Sequence, residues 1–136
     1  MISDEKVQSD IITKIKSIVT GTSYSAEVRE LQWQGDNFTY PNLRLDIENN
    51  DYVFDEQELC TLQYAEFSIY VFSQERSSKE CSTIKGLLAT ALVGLGFTGS
   101  YAKYNRLRLV DNIPAVREDE RTWRSQIRLG TRVQVL

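Results

Sequence analysis

The stretch CTLQYAEFSIYVFS, Cys60 to Ser73, decides how the rest of the chain must be arranged. Side chains alternate across a strand, so Ala65, Phe67, Ile69 and Val71 share one face. Leu62, Tyr64, Tyr70 and Phe72 make up much of the other. A strand that is apolar on both faces is covered on both, which places it centrally in a sheet or in a subunit contact.

Upstream, Leu43, Leu45 and Ile47 alternate with Arg44, Asp46 and Glu48, the period-two pattern of a half-buried strand over 42–48. An extended segment over 24–33 precedes it. Gln34, Gly35, Asp36 and Asn37 supply turn chemistry between the two, and Pro41 fits just before a strand begins. Residues 3–20 read as an amphipathic helix, capped by Ser3 or Asp4 and ended by Gly21. Its stripe is Val7, Ile11, Ile15 and Ile18, spaced i, i+4, i+8 and i+11.

Downstream, Ser77-Ser78-Lys79-Glu80 has the form of a capping box with Ser77 as the cap. The helix it opens carries Cys81, Ile84, Leu88, Ala91 and Leu92 on one side and ends at Gly94. Two further strands follow, over 103–111 and 122–135. The second places Trp123, Ile127, Leu129, Val133 and Val135 on one face. Residues 49–58 read as a polar, acidic loop, and 112–121 as a long charged connection. The order α-β-β-β-α-β-β predicts one α+β domain over residues 1–136. Its antiparallel sheet has about four to five strands, with two helices packed on one face.

The chain has 136 residues, 41% hydrophobic and 26% charged, enough to bury a core without a metal or disulfide staple. Histidine is absent. That removes Ser-His-Asp and Cys-His nucleophiles, histidine zinc sites and imidazole acid–base catalysis. Cys60 and Cys81 cannot fill a zinc tetrahedron, and with no signal-like start they point to a reduced, cytosolic context. No run reaches the ~18 apolar residues of a membrane span, so no membrane partner is expected.

Net charge is −3, but it is unevenly placed. Residues 1–75 carry 5 Lys/Arg and 14 Asp/Glu, a net of −9; residues 76–136 carry 11 and 5, a net of +6. The chain is electrically bipolar. Arg124, Arg128 and Arg132 recur every fourth residue, which on a strand puts them on one face roughly 13 Å apart. Arg106 and Arg108 likewise share a face of the preceding strand. Such a wall suits acidic groups of a partner or the phosphates of passing DNA; the plain alternative is a solvated face.

Two other patterns resemble sites. Gly94, Gly96 and Gly99 spell G-x-G-x-x-G, but they follow a helix, where the dipole is negative; a helix C-cap and turn is the better reading. Six acids lie between Asp46 and Glu58. A calcium loop starting at Asp46 would need glycine where Asp51 stands and glutamate where Gln57 stands. A solvated acidic loop or contact surface fits better. Neither a metal nor a cofactor is expected, and no pair of carboxylates is marked out for catalysis.

The layout resembles the tail terminator, or tail completion, proteins of long-tailed bacteriophages. The features that carry it are the amino-terminal helix, Tyr40-Pro41 leading into Leu43-Arg44-Leu45, and the long strand ending in Ile69-Tyr70-Val71-Phe72-Ser73. The helix from Ser77 to Leu92 and the alternating last strand complete it, over about residues 3–135. The resemblance implies a non-enzymatic virion protein, made in the host cytoplasm and seated at the tail–neck junction. It implies a homo-oligomeric ring, usually a hexamer, that caps the tail tube and meets neck or connector proteins. By position, loop contacts would come from Asp51, Asp55, Glu56 and Glu58, and from Arg117, Glu118 and Asp119. Head-to-tail closure of a ring suits a bipolar chain. Other readings stay open: a stopper or adaptor of the neck, or a small cytosolic ligand-binding, metal-binding or hydrolytic domain using the acidic segment.

Overall fold

In a computed structural model of the chain, residues 2–22, 27–35, 39–52 and 62–136 are described. Helix α1 spans Asp4–Val19, followed by strands β1 (Glu27–Glu30), β2 (Asn42–Tyr52) and β3 (Leu62–Ser73). Helix α2 spans Lys79–Leu92, and β4 (Phe97–Thr98), β5 (Ala102–Tyr104), β6 (Arg108–Arg117) and β7 (Trp123–Val135) complete the chain.

The strand rich in apolar residues on both faces is central in the sheet, one of the two placements its sequence allowed. β3 pairs antiparallel with β2 on one side and with β7 on the other. The sheet order is β1-β2-β3-β7-β5-β4, with β6 also paired to β7. The fold is α+β, but the sheet differs from expectation in two ways. It has seven strands among the described residues rather than four or five, and it is mixed, because β1 runs parallel to β2. The higher count arises because the short β4 is added and because β5 and β6, expected as one strand, lie end to end along the same edge of β7. β5 pairs with Ala102 opposite Val135, while β6 runs from Arg108 opposite Gly130 to Arg117 opposite Trp123.

Both helices lie on one face. Val7, Ile11, Ile15 and Val19 of α1 and Cys81, Ile84, Leu88 and Leu92 of α2 are buried against the sheet. The sheet contributes Leu43, Leu45, Phe67, Ile69, Val71, Ile127, Leu129 and Val133 to the same core. Each such side chain stabilises by roughly 1.5–3 kcal/mol when fully buried, so this layer orients every strand. Among the described residues the opposite face carries no helix. Val19 takes the buried place predicted for Ile18, which is only partly covered; Val135 is exposed rather than part of the core.

The local chemistry of the turns follows the pattern only in part. Ser3 caps α1, its Oγ accepting from Lys6 N at 3.4 Å, and Gly21 leaves the helix with φ +82°. At α2 the capping box does not form. Ser78 is the N-cap with no side-chain bond, and the Glu80 carboxylate accepts from Ser73 Oγ at 2.8 Å instead. Gly94, at φ +84°, ends the chain's second helical segment and donates to Leu107 O, so the glycine-rich run is a helix exit.

Candidate functional site

The helix-free face of the sheet collects most of the charged residues expected to make contacts. Cross-strand pairs share a face, and the register puts Asp46, Ser68 and Arg128 in one row and Asp51, Tyr64 and Arg132 in another. The acidic β2 and the basic β7 therefore flank the tyrosine-bearing β3.

The predicted arginine wall divides into two groups with different surroundings. Arg128 Nε lies 2.5 Å from Glu48 Oε2, and Ser68 Oγ donates to Glu48 Oε1 at 2.6 Å. Gln126 Nε2 donates to the same serine at 3.0 Å. A β-bulge makes this possible: the register slips between Ile47 and Asn49, leaving Glu48 as the extra residue and turning it onto Ser68 and Arg128. Arg124 pairs more loosely with Glu118, at 3.5 Å.

Arg106, Arg108 and Arg132 form the second group. Where β5 stops and β6 begins, Asn105 N still donates to Arg132 O on β7, but residues 106–107 leave that edge, and a cleft of about 520 Å³ opens there. Tyr64, Asn105, Arg106, Arg108, Gly130, Thr131 and Arg132 line it. Arg106 thus lies in a crossover rather than in a strand with Arg108, as the sequence pattern suggested, yet the fold brings both to Arg132. Arg108 Nη2 donates to the Tyr64 hydroxyl at 2.9 Å, and that hydroxyl donates to Glu66 Oε1 at 3.0 Å. Among the described residues no carboxylate pairs with Arg106, Arg108 or Arg132.

The acidic residues are less loop-like than expected. β2 continues to Tyr52, so residues 49–52 are strand and Asp51 is an exposed strand residue. The same continuation removes a coiled calcium loop starting at Asp46, because its first seven positions are extended. Asp55, Glu56 and Glu58 lie outside the described residues. Burial, then the neighbouring Glu48, pushes the Asp46 carboxyl above the usual aspartate range. Among the described residues no three of His, Cys, Asp and Glu gather as a metal site would, and no helix is long and apolar enough to cross a membrane.

The 112–121 connection is mostly strand. β6 runs to Arg117, and the turn is confined to 118–122. Asp119 shapes it, its Oδ1 accepting from Arg121 N and Thr122 N, each at 2.8 Å. Those bonds, that to Arg121 first, hold its carboxyl below the usual range. Arg117 donates to Glu120 O and stacks over Trp123. Glu118, Asp119 and Arg117 thus organise the turn that they decorate.

Asp10 escaped the sequence reading altogether, while Glu48 and Tyr64 were placed only in the acidic segment and on the second apolar face of the 60–73 strand, without the bonds they make to Arg128 and Arg108. The break in alternation at Asn49-Asn50 was a signal for the bulge that places Glu48. Asp10 sits on the polar flank of α1 and gives no sign of burial, yet it is 4% exposed.

No protein-family model and no curated protein matches the sequence. A solved structure does: a chain described as "Virion of native gene transfer agent (GTA) particle" matches with a TM-score of 0.73. The match covers 96% of this chain and 96% of that chain at 15% identity, so the two share a fold from end to end.

Proposed function

We propose that the protein is a non-enzymatic structural component of a virion, and within that class a tail terminator. It assembles as a ring of identical subunits, a hexamer, that caps the tail tube and offers the surface on which the head or neck docks. Its partners are its own copies, the tail tube protein and neck or connector proteins, with non-specific contact to DNA passing through the ring. It resides in the virion at the tail–neck junction.

The observation that carries this reading is the end-to-end fold likeness to a chain of a virion particle, with a TM-score of 0.73 over 96% of both chains. Two features support it. The helix-free sheet face displays Tyr64, Tyr70, Phe72 and charged side chains over a broad area, which suits contact between proteins. The charge asymmetry between the chain's two halves also suits head-to-tail association.

The test is mass in solution, followed by negative-stain imaging with purified tail tubes. Rings, or caps on tube ends with growth arrested, are expected. A strictly monomeric protein that leaves tubes uncapped would sink the proposal. Binding to neck components without any effect on tubes would make it a stopper or adaptor instead.

A further inference from the structure

We propose that the arginine cleft of one copy receives the acidic β2 edge of the next copy, and that this contact sets the direction of assembly. The inference rests on the ring reading above and names its contact residues.

The first observation is an uncompensated basic site. Arg106, Arg108 and Arg132 converge on one cleft of about 520 Å³, and among the described residues none has a carboxylate partner. Arg108 is held by a neutral phenol, so its charge remains unspent. Three cations around one concavity repel one another until an anion enters.

The second observation is an uncompensated acidic site at the far edge of the same sheet. β1 pairs only with Asn42 to Leu45, and among the described residues no strand pairs with the outer edge of β2, the edge away from β3, from Asp46 onward. Asp4, Glu30 and Asp46 line a notch of about 210 Å³ where β1 ends, and Asp51 is exposed further along β2. Among the described residues, the two of these acids that accept side-chain hydrogen bonds accept them from neutral amides: Gln8 donates to Glu30 and Asn50 donates to Asp4.

The third observation is alignment. Asp51, Tyr64 and Arg132 occupy one cross-strand row, so the acidic edge and the basic cleft stand at the same height on opposite sides of the sheet. At ~4.8 Å per strand the Cα atoms of Asp51 and Arg132 are about 10 Å apart within a subunit, and among the described residues the two side chains form no ion pair. Placing copies side by side brings each cleft against a neighbour's edge, and the same contact repeats. That is a heterologous interface, which closes into a ring when each step adds a fixed rotation. A duplex or single-stranded phosphate backbone would also suit three arginines, but it leaves the acidic edge unexplained and facing like charge.

The experiment uses Arg132→Glu and Asp51→Lys, both exposed and, among the described residues, without a side-chain hydrogen bond or ion pair, so unfolding temperatures should stay close to wild type. Each variant alone is expected to raise the protein concentration for half-assembly by about tenfold or more, as like charges meet across the contact. The penalty should shrink at high salt. Combining both changes in one chain, or mixing the two single variants, restores opposite charges at every contact and should recover assembly. Wild-type rings with unaffected single variants would overturn this contact while leaving the ring reading intact. Loss of DNA retention by Arg132→Glu with assembly unchanged would assign the cleft to phosphates and also overturn it. A wild type that forms neither rings nor caps removes the ring reading and this inference together.

Discussion

Arg128 Nε and Glu48 Oε2 stand 2.5 Å apart, joining the acidic first half of the chain to its basic second half inside one subunit. Part of the bipolar charge is therefore consumed by folding, and only the remainder is offered to partners. Arg128 belongs to the first group and Arg132 to the second, although they are four residues apart on one face.

Arg128→Glu would put two carboxylates against each other beside Ser68. The pair is partly covered, with side chains 33% and 21% exposed, so its worth exceeds that of a fully solvated pair. A loss of about 1–2 kcal/mol in subunit stability is expected by urea unfolding. Glu48→Arg combined with Arg128→Glu should recover much of it; no recovery would mean that the two residues are not coupled.

Asp10 anchors the turn between β4 and β5 to α1. Its carboxylate accepts from Ser100 N at 2.8 Å, Tyr101 N at 3.2 Å and the Tyr104 hydroxyl at 2.7 Å. Burial first, then the bond to Asp10, raises the Tyr104 phenol far above its usual value. Asp10→Ala leaves those donors unmet and should cost about 2–4 kcal/mol, with Tyr104→Phe costing less. Gly99→Ala should also destabilise, because a Cβ there would fall 2.4 Å from Asp10 Cγ. Equal stability of wild type and Asp10→Ala would refute the anchoring role.

Asp46 makes a contribution to stability that is lost as pH rises. Its folded carboxyl holds a proton to higher pH than the unfolded chain does, because burial and Glu48 raise its value. The folded state is therefore favoured most below the unfolded value, and that advantage is lost as pH climbs through the folded one. Asp46→Asn should match wild type below about pH 4 and melt higher near neutrality. Parallel melting profiles across that range would contradict this. Asp119, held below its usual range, acts with the opposite sign: its contribution is present at neutral pH and is lost on acidification.

Gly130 lets the Tyr64 ring lie across β7. A Cβ at position 130 would stand 2.4 Å from the Tyr64 hydroxyl and 3.3 Å from Val110 Cγ2. Gly130→Ala should displace the ring, break the bond to Arg108 and reduce stability by about 1–3 kcal/mol. Tyr64→Phe should cost less than Gly130→Ala. If it costs as much, the hydroxyl network rather than the close approach is what matters.

The long, strongly patterned elements were legible because burial on one face imposes a period. Val7, Ile11 and Ile15, Leu43 and Leu45, and the two-faced run from Ala65 to Phe72 each declare their partners by spacing. The capping box failed because Glu80 had a competing partner in Ser73, which is adjacent only after folding. The β6 boundary was missed because Asp111, Asn112 and Pro114 read as turn residues. They are held in a strand by pairing with β7 and by two bulges that absorb the mismatch.

By itself the sequence determined the α+β class, the two-faced apolar character of the 62–73 strand, the burial of one face of each helix, and the separation of acidic from basic residues. These follow from local period and from counting charge, and neither needs a distant neighbour. Only the tertiary structure decided which charges are already spent. Register and a single bulge set Glu48 on Arg128, and the split between β5 and β6 gathers Arg106, Arg108 and Arg132. Those outcomes depend on contacts between residues up to 80 positions apart, where spacing along the chain carries no information about distance in space.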